Sequence, residues 1–140
     1  RSWTKGLILV ASELAQLTPF IAPITGEQKK LLEKSWPGAV TFLIAKSDRT
    51  PAWISGTSEK VAVRVSNHPT VVKLCEEVGE PLVSTSANPS GEIAAASSTV
   101  VVQYFGTQVD YMCEGELGAN KGASEIRDLE TGALLRAANI

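Results

Sequence analysis

The chain has 140 residues, of which 13 are basic and 15 acidic, so its formal net charge is -2. Hydrophobic residues make up 44% of it and charged residues 20%. These values argue against intrinsic disorder, which combines low hydrophobicity with high net charge, and they predict one globular domain. The balanced charge excludes a global basic field, so any anion site must come from a local cluster.

Apolar runs and helix signals alternate along the chain. In order, they predict a strand at 7–10, helices at 12–17 and 25–36, a strand at 39–45, a loop at 47–59, a strand at 61–65, a helix at 69–78, a strand at 81–84, a helix at 97–105, and strands at 109–112, 124–129 and 133–136. Thr25 and Gln28 have the spacing of a capping box, and Gly79 marks a helix C-terminus. Interleaved strands and helices predict an α/β layer architecture.

The two cysteines, Cys75 and Cys113, stand far apart and outside any CxxC spacing. They predict neither a disulfide scaffold nor a zinc module, and they favour a reducing, cytoplasmic compartment. No apolar run approaches the ~18 residues of a membrane span and no signal peptide is visible, so we expect no membrane association. The chain begins at Arg1 rather than Met, and the sequence leaves open whether this start is natural, a fragment, a trimmed product or an incompletely traced N-terminus.

Common catalytic signatures are missing from the sequence. It lacks the GxSxG nucleophile elbow, the GxxxxGK[ST] phosphate loop and the GxGxxG dinucleotide motif, and its one histidine is His68. His68 precedes Pro69 at a predicted helix start, which favours a capping or turn role over a functional one. We therefore expect neither a hydrolase triad nor a histidine-based metal site.

The richest polar segment is 84–91, which reads STSANPSG and follows a predicted strand. Ligand-binding loops of open α/β sheets lie at such strand ends. Small hydroxyl residues let backbone N–H groups approach an anion and add donors of their own. A polar turn that caps a helix explains the same residues, and composition alone favours that simpler explanation.

Four basic residues stand close to predicted strands: Arg1, Lys5, Arg64 and Arg136. Arginine suits phosphate or carboxylate because its planar fork binds two oxygens at once. Each cation alone is best explained as a surface charge. Together with the hydroxyl loop they predict a phosphate-binding cavity that has no nucleophile and no obvious base.

A third polar feature opens the strand after a glycine-rich loop, at Ser124. The residues that follow it, Glu125, Arg127 and Asp128, either form a surface ion pair or belong to a site, and the sequence leaves both open.

Several segments, in this order, resemble the YrdC/TsaC family of threonylcarbamoyl-AMP synthases in its short bacterial form. They are RSWTKGLIL at 1–9, SWPGAVTF at 35–42, VAVRV at 61–65 followed by HP at 68–69, STSANPSG at 84–91, SEIRD at 124–128 and LR at 135–136. No single segment is specific, but the combination is, and it covers nearly the whole chain.

The resemblance implies a YrdC-like open α/β fold, a twisted mixed sheet with flanking helices and a concave ligand-binding face. It implies a single domain over 1–140 that lacks roughly the first quarter of the family's domain. The implied activity is that of an L-threonylcarbamoyladenylate synthase, a nucleotidyltransferase. From ATP, L-threonine and bicarbonate such enzymes make threonylcarbamoyl-AMP and pyrophosphate, for the t6A modification of tRNA. Mg²⁺ is expected on the ATP phosphates, with no prosthetic group and no protein-bound metal.

The resemblance also implies the roles of individual residues. The expected ATP-binding residues are Arg1, Lys5, Ser86, Asn88 and Arg136. The expected threonine-binding residues are Arg64, Ser84 and Ser124. No side chain is expected to be a catalytic nucleophile, since nucleotidyl transfer needs mainly positioning and charge stabilisation.

The family's partners are implied as well: other t6A-pathway proteins would take up the intermediate. Two alternatives stay open at this point, a module that binds double-stranded RNA or tRNA weakly, and a non-catalytic fragment. The net charge of -2 argues mildly against strong RNA binding.

Overall fold

The computed structural model describes residues 6–119 and 122–137. The strands are β1 (Ile8–Ala11), β2 (Val40–Ala45), β3 (Lys60–Val65), β4 (Leu82–Ser84), β5 (Glu125–Asp128) and β6 (Leu134–Arg136). The α-helices are α1 (Leu14–Leu17), α2 (Gly26–Ser35), α3 (Ala52–Ser55), α4 (Pro69–Val78) and α5 (Ser98–Phe105). Short 3-10 turns follow α1 at Thr18–Phe20 and α5 at Gly106–Gln108.

The described strands form one six-stranded sheet in the order β4-β1-β3-β2-β5-β6. β1 pairs with β3, and β2 with β5, in parallel; the other neighbouring pairs are antiparallel. This confirms the predicted mixed sheet with flanking helices.

The hydrophobic core lies on one face of this sheet. Along β3, Val61, Val63 and Val65 are buried, whereas Ala62 and Arg64 between them are half-buried, as the alternation predicts. The valines join a cluster that α1 and α2 cover through Leu17 and Leu32, among others. The opposite face of β3 therefore carries Arg64.

Helix α4 packs near β1 and β4, where the Cys75 thiol lies 3.4 Å from the carbonyl oxygen of Val10. Both residues are buried but stand outside the core cluster, which places α4 on the opposite side of the sheet from α1 and α2. Burial raises the pKa of this thiol above its usual value. Cys75 is therefore a packing residue.

The corner before β2 fixes where that strand begins. The Trp36–Pro37 peptide bond is cis, and the Trp36 indole N–H donates to the Val40 carbonyl at 2.6 Å. The Gly38 N–H donates to the Val65 carbonyl at 2.9 Å, which ties the start of β2 to the end of β3. A side chain at Gly38 would place Cβ 2.8 Å from the Ser35 carbonyl oxygen, so glycine is required there.

The caps predicted at Thr25 and Gly79 are confirmed. Thr25 and Gln28 form the reciprocal capping box of α2, with bonds of 3.1 and 2.9 Å. Gly79 ends α4 in the left-handed conformation at φ 75°. The Ser97 hydroxyl accepts from the backbone N–H of Val100 at the start of α5.

Two local predictions were wrong, and a third holds only in part. The segment 47–59 is not a continuous loop, because Pro51 starts the single turn of α3. The segment 109–112 forms no strand, since no neighbouring strand pairs with it among the described residues. His68 occupies the cap position of α4, but its side chain makes no capping hydrogen bond.

Candidate functional site

A row of side chains crosses the sheet on the face opposite the core. Thr41 pairs with Ile126 across β2 and β5, and Ile126 with Arg136 across β5 and β6. The antiparallel register of β2 and β3, extended by one residue, sets Thr41 opposite Arg64. Paired residues project to the same face, so one row carries Arg64, Thr41 and Arg136.

The row also gives the separation of its two arginines. Arg64 and Arg136 are three inter-strand spacings apart, about 14 Å at the usual strand separation. The strip of sheet between them is where a ligand that contacts both arginines would have to lie.

Ser124, directly before β5, lies at the middle of this strip. Its hydroxyl lies 2.7 Å from the Thr41 hydroxyl. The Arg136 guanidinium donates to its carbonyl oxygen from Nε at 3.1 Å and from Nη2 at 2.8 Å. Thr41 is fully buried and Ser124 is 8% exposed. The structure thus brings Ser124 and Arg136, predicted for the two ends of the ligand, into direct contact.

Arg64 has an unsatisfied donor. Its Nε is shielded from solvent and has no hydrogen-bond partner among the described residues. Desolvation lowers the pKa of this guanidinium from its usual value. A shielded N–H donor without an acceptor is costly, and a ligand carboxylate or phosphate bound there would supply the missing acceptor.

Ser84 ends β4 and lies on the same face as Arg64. It pairs with Ile8, two residues from the β1 position that pairs with Arg64. The two side chains are therefore about 10 Å apart across the strands and about 7 Å along them. Ser84 is therefore on the same face of the sheet as the row, but it is displaced from the row along the strand direction by two residues.

The hydroxyl loop that follows Ser84 is held by its own hydrogen bonds. The Asn88 side-chain amide donates to the carbonyls of Pro89 at 2.8 Å and Glu92 at 3.0 Å. The Asn88 N–H donates to the Ser86 carbonyl at 3.0 Å. The Asn88 side chain therefore shapes the loop, a role that the sequence reasoning did not anticipate.

Two further predicted residues, Arg1 and Lys5, lie outside the described residues.

Two cavities lie away from the row. One, of about 210 Å³, is lined in part by Leu43, Lys60 and Leu129, and the other, of about 460 Å³, lies beside α2 and is lined in part by Val40 and Glu125. The row is thus a feature of the sheet face and belongs to neither cavity.

The charged residues that follow Ser124 form ion pairs with one another and with β3. Glu125 and Arg127 form the surface ion pair that was one of the two predicted alternatives. Asp128 instead bonds Lys60 Nζ at 2.6 Å, and Lys60 also reaches Glu130 at 3.2 Å. The Lys60 ammonium holds the pKa of the Asp128 carboxyl below its usual value. This link between β3 and β5 joins residues 68 positions apart, so no local pattern indicates it.

His68 contacts the long loop that precedes β5. Its Nε2 lies 3.2 Å from the Glu116 carbonyl oxygen, and its Nδ1 is shielded without a partner among the described residues. A Cβ at Gly118 would lie 3.3 Å from the ring, so the loop approaches His68 closely. The role of His68 shown here is to anchor this loop.

Within 6–119 and 122–137, no three His, Cys, Asp or Glu residues are grouped so that they could hold a metal ion. Among the helices of the same residues, none is long and apolar enough to cross a bilayer.

Comparison with known proteins gives consistent matches. Residues 1–138 match the Sua5/YciO/YrdC family model, whose description is "Telomere recombination". The chain is 44% identical over 132 residues to the threonylcarbamoyl-AMP synthase of Halorhodospira halophila and covers 69% of that protein. It is 43% identical over 132 residues to the synthase of Cellvibrio japonicus and covers 70% of it. Both alignments include 94% of this chain.

Solved structures of P. abyssi Sua5 have the same fold. A doubly substituted form superposes with a TM-score of 0.93 at 29% identity and covers all of this chain. A complex of Sua5 with L-threonine superposes with a TM-score of 0.89 at 30% identity and covers 97% of this chain. The chain spans only 44% and 41% of those two Sua5 chains. From the family match over residues 1–138 and the agreement in fold, this chain belongs to the Sua5/YciO/YrdC family.

Proposed function

We propose that this protein makes threonylcarbamoyl-AMP from ATP, L-threonine and bicarbonate for t6A modification of tRNA. The threonine amine first attacks bicarbonate carbon, forming an N–C bond and releasing water, to give a carbamate. A carbamate oxygen then attacks the α-phosphorus of ATP. The bond from that phosphorus to the bridging oxygen breaks, and pyrophosphate leaves with the electron pair. The names of the two synthases above and the threonine complex of Sua5 support this reaction.

The observation that carries the proposal is the row from Arg64 through Thr41 to Arg136, with Ser124 in contact with both Thr41 and Arg136. The shielded Nε of Arg64 has no acceptor within 6–119 and 122–137, which suits it to the carboxylate of threonine. Arg136 lies against Ser124 at the other end of the strip, where it can neutralise charge on a phosphate. The new bond between carbamate oxygen and phosphorus would then form close to Ser124.

The remaining residues are assigned in the same way, to a threonine end near Arg64 and a nucleotide end near Arg136. We assign Arg64, Ser84 and Ser124 to the threonine end. We assign Ser86, Asn88 and Arg136 to the nucleotide end, with Arg1 and Lys5 on the phosphates. Asn88 would act by shaping this loop, whose backbone N–H groups would then donate to the nucleotide.

This chemistry needs no side-chain nucleophile, because nucleotidyl transfer depends mainly on alignment and charge stabilisation. Mg²⁺ would arrive with ATP, held chiefly by phosphate oxygens and water, which is the usual arrangement for this ion. We place the reaction in the cytoplasm, where the intermediate passes to other proteins of the t6A pathway.

The test is pyrophosphate release with each substrate omitted in turn. Release that requires both threonine and bicarbonate supports the proposal. Pyrophosphate release at the same rate with and without threonine contradicts it.

Weak tRNA binding stays a separate prediction, and the salt dependence of tRNA binding tests it. A steep fall in tRNA affinity with rising salt, in a protein without ATP turnover, would favour an RNA-binding module instead.

A further inference from the structure

Thr41 is a buried polar residue at the centre of the row. It is 0% exposed and lies on β2, whose backbone pairs with β3 on one side and β5 on the other. Its β-branched side chain has few rotamers, so the direction of its hydroxyl is restricted. A hydroxyl in this place is costly to bury unless it is hydrogen-bonded.

The partner of this hydroxyl is Ser124 Oγ, at 2.7 Å, and either oxygen can be the donor. A hydroxyl has one donor and two acceptor positions. When Thr41 donates, the Ser124 O–H is left to donate to a ligand oxygen. When Ser124 donates to Thr41, Ser124 keeps a lone pair for a ligand N–H. The pair can therefore serve a substrate nitrogen first and a carbamate oxygen afterwards.

Ser124 is thus held from two sides, its carbonyl by Arg136 and its hydroxyl by Thr41. The two contacts differ in kind. Arg136 fixes the backbone position, whereas Thr41 fixes the direction of the hydroxyl, the group that would contact the ligand.

We propose that Thr41 is a positioning residue that orients the Ser124 hydroxyl towards threonine and its carbamate, an inference that rests on the function proposed above. Thr41 acts through Ser124 and does not touch the substrate itself. The effect of removing its hydroxyl should therefore depend on the presence of the Ser124 hydroxyl.

The first test compares Thr41→Val, which keeps the shape and removes the hydroxyl, with Thr41→Ser, which keeps the hydroxyl. We expect Thr41→Val to raise the KM for threonine about three- to tenfold, the range of one hydrogen bond, with the KM for ATP unchanged. Thr41→Ser should restore the KM for threonine. A purely structural role would instead leave both KM values unchanged, or make Thr41→Ser as damaging as Thr41→Val.

The matched control is Thr50→Val. Thr50 is also buried, and its hydroxyl donates to the Phe20 carbonyl at 2.5 Å, away from the row. This variant loses a buried hydrogen bond of the same type, so it should lower thermal stability while leaving both KM values unchanged. A threonine KM that rises equally in Thr50→Val would overturn the proposal.

A double-mutant cycle tests the dependence on Ser124. In a Ser124→Ala background, Thr41→Val should have no further effect on the KM for threonine; an additive effect contradicts the inference.

Calorimetric titration of L-threonine separates this inference from the proposed function. If the wild type binds threonine without making pyrophosphate, the function fails, and weaker binding by Thr41→Val alone still supports the positioning role. Equal binding by both proteins, or none by either, overturns it.

Discussion

Arg136 and Ser124 are joined by two hydrogen bonds, from Nε and Nη2 of the arginine to one backbone carbonyl oxygen. The bonds attach a side chain of the last described strand to the residue that opens β5. They bring a group assigned to the nucleotide next to a group assigned to threonine. This contact defines where the two halves of the product would meet.

Replacing Arg136 should therefore damage catalysis more than folding. Arg136→Lys keeps the charge but loses the planar fork, so it cannot make both bonds to Ser124. We expect kcat/KM to fall about 10- to 100-fold, the range for a hydrogen bond to a charged group. Steady-state pyrophosphate kinetics measures this, and circular dichroism checks that the fold is intact. Kinetics equal to the wild type would remove Arg136 from the site.

Arg64 should show opposite effects on stability and activity. Its shielded Nε has no described partner in the absence of ligand, so Arg64→Met removes an unsatisfied buried donor while it fills similar space. We expect the variant to be more stable, by about 1 kcal/mol, and to lose threonine binding. Urea unfolding and calorimetric titration are the measurements.

The control for Arg64 is Arg49→Met, on an exposed loop. This variant should match the wild type in stability and in threonine affinity. Two results would contradict this account of Arg64: an Arg64→Met variant with the threonine affinity of the wild type, or one whose free energy of unfolding is several kcal/mol lower, as for the loss of a core side chain (~2–5 kcal/mol).

The Lys60–Asp128 link should make stability depend on pH. The ammonium of Lys60, with two backbone N–H donors from Glu130 and Thr131, favours the charged carboxylate, so the pKa of Asp128 lies below its usual 3.8. A carboxyl whose pKa is lowered on folding stabilises the protein above its unfolded pKa, and this stabilisation is lost as the pH falls through the folded pKa. We expect Asp128→Asn to be less stable at pH 7 by about 1–2 kcal/mol.

Urea unfolding at several pH values measures this difference. The gap between wild type and Asp128→Asn should close progressively once the pH falls below about 4. A gap that is constant down to the lowest pH would show that the charge of Asp128 contributes nothing.

The capping box of α2 provides a change in stability that leaves the site alone. Thr25 is exposed and lies on the core side of the sheet, opposite the row. Thr25→Ala should cost about 1 kcal/mol in the free energy of unfolding and leave kcat/KM unchanged. Thermal unfolding and pyrophosphate kinetics test the two parts. A large loss of activity at a temperature where the variant is folded would mean that α2 is coupled to the site.

Much of the fold follows from local patterns in the sequence. The alternating valines of β3, the capping box at Thr25 and the glycine after α4 are each specified by residues within a few positions of one another, and all three predictions were confirmed. Single-turn α3 was missed because four residues give almost no helical pattern. The segment 109–112 was predicted as a strand but forms none, because a strand depends on tertiary pairing as well as on local propensity.

The site could be predicted in part. The motifs singled out Arg64 and Arg136, which the sheet brings onto one row, and Ser124, which contacts that row. They did not indicate Thr41 as the partner of Ser124, because 83 positions separate the two and their contact depends on how β2 and β5 pair. Pairing across a sheet is set by register and burial, which a single sequence expresses only weakly.

The most direct test of the central claim is the product formed from ATP, L-threonine and ¹³C-labelled bicarbonate. Mass spectrometry should find an adenylate that contains threonine and is heavier by the label, and Arg64→Met should not form it. A product without the label, with threonine joined to AMP through its own carboxylate, would contradict the account, as would pyrophosphate released with no threonine-containing adenylate.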